Sequence, residues 1–165
     1  MRKILNKRSI LFFLLLVWMM VIFFFSSQQG EDSSSLSSSF TYQLLSFIYP
    51  GFQSLDLTQQ FDIVNTLQFF VRKSAHMTEY GILWILTYEY LRTYPFSKSR
   101  CFLYALVFCF GYACSDEWHQ SFVPDRGPAF TDVLIDTCGS SFFGIFYSIA
   151  QRIFEKSKKG IRLFQ

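Results

Sequence analysis

Residues 9–25, SILFFLLLVWMMVIFFF, carry no charge at all. As a helix this run is about 26 Å long, close to the hydrocarbon thickness of a bilayer. Arg2, Lys3, Lys7 and Arg8 precede it, a pattern shared by signal peptides and signal anchors. The run is long for a cleavable segment, and the boundary FFFSSQQG keeps phenylalanine bulk where a small-x-small cleavage site would stand, so a retained first span is expected. With 51% hydrophobic residues, 21% aromatic residues and 22 Phe among 165, the chain as a whole is too apolar for an ordinary soluble domain of this size.

Three further segments extend the pattern. Residues 75–91 are apolar but contain His76, Glu79 and Glu89; residues 101–115 are short and run into Asp116; residues 133–150 contain Asp136 and the small residues Gly139, Ser140, Ser141 and Gly144. Such a stripe of small side chains suits close helix approach. The expected fold is an all-α membrane protein with four transmembrane helices plus one or two external interfacial helices. It forms a single domain over 1–152, followed by a basic cytoplasmic tail over 153–165.

Lysine and arginine are retained on the cytoplasmic side of a span, which fixes the expected orientation. With both termini inside, twelve of the fifteen Lys and Arg residues are cytoplasmic, and only Arg72, Lys73 and Arg126 fall outside. The long segment 26–71 has no Lys or Arg, in agreement with an external location. Its serine-rich start, SSQQGEDSSSLSSS, predicts a flexible, solvated stretch. Beyond it, Pro50-Gly51 and residues 56–58 divide an apolar segment into two interfacial helices, the second capped by Thr58. Cys101, Cys109, Cys114 and Cys138 lie in apolar runs without metal or disulfide spacing and read as buried, reduced side chains.

The three external cations sit among acids and histidines. Arg72, His76, Glu79 and Tyr80 fall on one helical face; Asp116, His119 and Gln120 repeat the pattern; Asp132 and Asp136 are one turn apart. Each charge buried alone near the bilayer centre costs about 2.5 to 3.5 kcal/mol, so these groups are expected to meet. Arg72, Lys73 and Arg126 would then lie among Glu79, Asp116, Glu117, Asp132 and Asp136 in a pocket open to the external leaflet. His76 and His119 are the candidate proton carriers. Pro124, Gly127 and Pro128 shape a tight turn that holds Arg126, a group suited to gripping phosphate or carboxylate. Trp118 and Phe122 read as interfacial anchors rather than a binding cage.

The stretches VRKSAHMTEYGIL, ACSDEWHQSFVPDRG and DVLIDTCGS, with WMMVIFFFSSQQGEDSSSLS before them, resemble the VanZ-like family of teicoplanin-resistance accessory membrane proteins over residues 18–144. The resemblance implies a small multi-pass protein of the bacterial cytoplasmic membrane, and no established reaction. It carries over Arg72, Lys73, His76, Glu79, Tyr80, Asp116, Glu117, His119, Gln120, Arg126, Asp132 and Asp136. Two positions depart from the family pattern: Asp125, where a small residue is expected, and Met77, where an aromatic is expected.

The expected function is binding of an envelope lipid or amphiphile head group, contributing to glycopeptide and lipoglycopeptide resistance. Arg72, Lys73, Tyr80, Glu117, Gln120, Arg126, Asp132 and Asp136 would form the ligand-binding set. His76, Glu79, Asp116 and His119 are the candidate acid/base groups for an alternative, a membrane-embedded hydrolase or transferase. Taken alone, His76 and Glu79 read as a helix-packing polar pair; the constellation is what points to function. A third alternative is a proton-coupled transporter. No cofactor is assigned, and a divalent metal ion is left open, since two histidines with carboxylates suit one but no H-E-x-x-H signature is present. The expected partner is a membrane lipid or lipid-linked envelope intermediate, not nucleic acid, and a homodimer is left open.

Overall fold

A computed structural model describes residues 2–162, with side chains over 6–158. The side chains of Arg2, Lys3, Lys159 and Arg162, counted above among the cations, lie outside that set. Among the described residues the fold is all-helical: α1 (Arg2–Ser26), α2 (Gly30–Ile48), a single 3-10 turn (Phe52–Ser54), α3 (Leu57–Leu91), α4 (Lys98–Gln120) and α5 (Phe130–Arg162). Two stretches are long and apolar enough to cross a membrane, Asn6–Ser26 of α1 and Phe130–Lys158 of α5. The polar residues inside 75–91 and just past 101–115 shorten the apolar stretches of α3 and α4.

The largest difference from the sequence reading is α3. The second interfacial helix and the second expected span are one continuous helix of 35 residues, roughly 52 Å long. Arg72 and Lys73 mark a change of surroundings and not a break, because charged side chains on a helix surface leave the backbone ladder intact. The cap is Asp56 and not Thr58: the Asp56 carboxylate accepts from the backbone N–H of Gln59 at 2.8 Å.

The serine-rich stretch is also helical from Gly30 onward, as the first half of α2. Its hydroxyls turn back onto its own backbone, with Ser34 donating to the Gly30 carbonyl at 2.7 Å and Ser37 to that of Ser33 at 2.8 Å. This satisfies the hydroxyls internally and lets α2 lie along α3, where Leu45, Phe52 and Val64 form a small apolar core.

The main core lies where α1, α4 and α5 surround the second half of α3. Trp84 stacks on Tyr88 at 4.9 Å and meets Phe102 and Tyr147 edge-on. Polar ties fix the level of each neighbour against α3 and α4. Trp18 donates to the Glu79 carbonyl at 2.9 Å, Tyr112 to that of Met19 at 2.7 Å, and Ser140 to that of Tyr80 at 3.1 Å. The small-residue stripe of α5 acts as expected: a Cβ on Gly139 would lie 2.5 Å from the Met77 carbonyl oxygen, so only glycine allows this approach. Met77, one of the two departures, thus meets α5 through its backbone.

Cys101 and Cys109 are buried, Cys114 is half-buried and all are free thiols. Cys138 corrects the reading, since it is exposed on the outer face of α5.

Candidate functional site

A cavity of about 450 Å³ opens where five chain segments meet: the first turn of α2, the middle of α3, the end of α4, the turn 121–129 and the start of α5. Six of the residues expected from sequence line it, namely Arg72, Lys73, His76, Gln120, Arg126 and Asp132. Local structure explains their convergence. Arg72, Lys73 and His76 lie within four positions on α3, Gln120 is the last residue of α4, and Asp132 lies in the first turn of α5.

The turn that carries Arg126 is shaped by Asp125, whose φ of 57° is left-handed. Aspartate tolerates this region better than most side chains, and a small residue such as glycine would fit it without strain. That is the physical content of the departure at this position. The turn docks on α2, with the Gly30 N–H donating to the Pro124 carbonyl at 3.3 Å. Gly30 packs so tightly on the Asp125 carbonyl that a Cβ there would overlap it.

The cations are held in an unexpected way. Lys73 pairs with Asp132 at 2.6 Å, as anticipated. Arg72, however, donates to two hydroxyls of α2, Ser37 at 3.2 Å and Ser34 at 2.9 Å. Arg126 donates to the Gln28 carbonyl at 3.1 Å, the Phe25 carbonyl at 3.3 Å and the Gln120 side-chain oxygen at 3.1 Å. Neither arginine is bound to a carboxylate by these bonds, although Asp132 lines the same cavity and Asp116, Glu117 and Asp132 all act on the Arg126 charge. Burial, and then repulsion from Arg72, lowers the Arg126 pKa from its ordinary value. Glu31 and Asp125 also line the cavity, but on its exposed rim.

The other expected residues lie behind or beside the cavity. Asp116 is buried and accepts from the Gln120 amide at 3.1 Å, and the oxygen of that same side chain accepts from Arg126, so the hydrogen-bonded link between Asp116 and Arg126 runs through Gln120. Asp136 is buried one turn beyond Asp132, and Tyr80 is fully buried in the core. His119 packs its ring on Phe23 at 4.5 Å. Glu79 stands 3.8 Å from His76 Nδ1, too long for a hydrogen bond, and that nitrogen has no hydrogen-bond partner among the described residues. Glu117 turns to the opposite side of the turn, where its Oε2 accepts from the Ala129 N–H at 2.9 Å. Burial raises the Glu117 pKa, and that hydrogen bond partly opposes the rise.

Sequence reasoning missed the neutral partners: Ser34 and Ser37, and the carbonyls of Phe25 and Gln28. Carbonyls leave no sequence signal. The serines did leave one, because the segment holding them belongs to the matched N-terminal motif. Among the described residues no group of three or more His, Cys, Asp or Glu side chains is placed to hold a metal ion, so the divalent-ion alternative gains no donor set.

Compared with known proteins, residues 11–151 match the family model described as VanZ/LLP1. No curated protein and no solved structure matches the chain. The family match and the two apolar helices together mark a membrane protein.

Proposed function

Because the chain belongs to the VanZ/LLP1 family, we propose that it is a multi-pass protein of the bacterial cytoplasmic membrane whose cavity binds the anionic head group of an envelope lipid or other amphiphile. Through this binding it contributes to glycopeptide and lipoglycopeptide resistance. The observation that carries the reading is the state of Arg72 and Arg126. Two partly buried guanidinium groups line one open cavity, and the bonds that aim them come from hydroxyls, carbonyls and an amide. Neutral oxygens orient a cation without cancelling its charge, so an incoming phosphate or carboxylate finds both positive groups already positioned.

The proposed topology has spans at 9–25, 75–91, 101–115 and 133–150 in one domain over 1–152, the tail 153–165 and both termini in the cytoplasm. The arrangement of charge supports it. Lys7, Arg8 and Lys98 gather at the end of the bundle where Glu89 and Glu155 lie, while Arg72, Lys73 and Arg126 gather at the other.

A second reading is favoured by one observation. His76 lines the cavity with a free Nδ1 and Glu79 beside it, an arrangement suited to acid/base chemistry in a hydrolase or transferase. A transporter gains no such support, since Glu89, on which a polar path to the other end would depend, is tied to Lys7, Tyr147 and Gln151.

Native mass spectrometry of the full chain, released from nanodiscs containing phosphatidylglycerol, tests both readings. The parent is expected to retain the anionic lipid, and Arg126→Ala to retain about tenfold less or lower. Equal retention by parent and Arg126→Ala overturns the binding site. Conversion of a bound envelope lipid by the parent, lost in His76→Ala with the lipid still bound, would replace binding with catalysis.

A further inference from the structure

A second concavity lies on the far side of the 121–129 turn from the cavity. It is a groove of about 270 Å³ between the last turn of α4 and the first of α5, lined by Glu117, Trp118, Pro128, Ala129, Phe130 and Val133 among others. Two features distinguish it. Trp118 and Phe130 are 70% and 66% exposed although they flank a concave surface, and Trp118 is held at a fixed angle by the edge of Phe122, 5.4 Å away. Glu117 is its single charged lining residue, and one carboxylate oxygen is pinned by the Ala129 N–H, which leaves Oε1 for a ligand.

We infer that this groove holds the ammonium group of a membrane-lipid head. The charge and the rings select the occupant together. An anion would face the Glu117 carboxylate. An acyl chain would cover that carboxylate and leave its Oε1 facing hydrocarbon, which is costly. A cation satisfies both, because aromatic faces attract ammonium groups and the carboxylate supplies the counter-charge. Among the described residues, the cations that a second copy carries at this end of the bundle, Arg72, Lys73 and Arg126, all line the other cavity. A lipid is the source because Trp118, Phe122 and Phe130, all exposed beside the groove, are side chains that settle at head-group depth. The two concavities therefore sort opposite charges on either side of one turn, and this second site stands independently of the first.

The test uses the full chain labelled with fluorotryptophan, which has three Trp signals in its 19F NMR spectrum; Trp118→Leu assigns the one at the groove. In phosphatidylethanolamine nanodiscs the Trp118 signal is expected to shift relative to phosphatidylglycerol nanodiscs. Glu117→Gln keeps the acceptor for Ala129 and removes only the charge, so it should abolish the shift, and Phe130→Leu should reduce it. Lys98→Ala, which acts at the opposite end of the bundle, should leave the shift in place. Ethanolamine titrated into the protein in maltoside micelles should move the same signal, with affinity about fivefold weaker in Phe130→Leu. The same shift in both nanodiscs, or its persistence in Glu117→Gln, overturns the site. A response to ethanolamine but not to phosphatidylethanolamine overturns the lipid as occupant.

Discussion

At one end of the bundle Glu89 accepts from Tyr147 at 3.0 Å and Gln151 at 2.9 Å and pairs with Lys7 at 3.3 Å, while Lys98 pairs with Glu155 at 2.7 Å. Arg8 lies over the Tyr94 ring and donates to the Thr93 carbonyl. At the other end, among the described residues, Lys73 pairs with Asp132 while Arg72 and Arg126 donate to neutral oxygens. The first end uses charge as fastening: acids and bases from different helices cancel one another and lock the elements in register. The second leaves two guanidinium groups without a hydrogen-bonded carboxylate in an open cavity that Glu31, Asp125 and Asp132 also line, so their donors remain available to an incoming anion.

The comparison can be broken most severely from the middle. Gly139→Leu would force α5 away from the Met77 backbone, and the cost of such overpacking is about 3 kcal/mol or more. Both ends should fail together, seen as a broad, early melt and a loss of the monodisperse peak in detergent. A Gly139→Leu protein with parental stability would mean that the two ends are held separately.

Next in size, Arg72→Met and Glu89→Gln should part company. Arg72→Met should weaken anionic-lipid retention about tenfold and leave the melting temperature nearly unchanged. Glu89→Gln should leave retention alone and cost about 1 kcal/mol, because it removes one ionic partner from a partly buried network. If both variants lose stability and neither loses lipid, the cavity end is fastening as well. The smallest effect belongs to Lys98→Ala, whose pair with Glu155 is roughly half exposed on both sides. It should change stability by about 0.5 kcal/mol or less, and added salt should erase the difference in a thermal melt.

Much of this arrangement was legible, and the limits are instructive. The helix α1 follows from an unbroken apolar run and α5 from a largely apolar one interrupted by Asp136, and the small-residue stripe of α5 follows from its spacing. The continuity of α3 did not, because a cluster such as Arg72-Lys73 looks like a boundary in hydropathy but contains no proline or glycine to interrupt a backbone. The helical serines of α2 were read as solvated because composition reports what a side chain can bond, not that its own carbonyl four residues back will serve. At the site, the spacing of Arg72, Lys73 and His76 and the turn at Arg126 were enough to place four cavity residues. What spacing could not tell is which neighbour satisfies which charge. The penalty for an unpaired charge predicts that a partner exists, and hydroxyls or carbonyls meet that demand as well as a carboxylate does.

The uninterrupted backbone of α3 has a mechanical consequence. From Leu57, beside the small apolar core with α2, to Tyr88 in the aromatic core, the helix contains no joint over roughly 45 Å. A load applied to the hairpin of α2 and α3 cannot be absorbed by a bend along the way; it tilts the whole rod, and the cavity, which sits near its midpoint, behaves as the fulcrum.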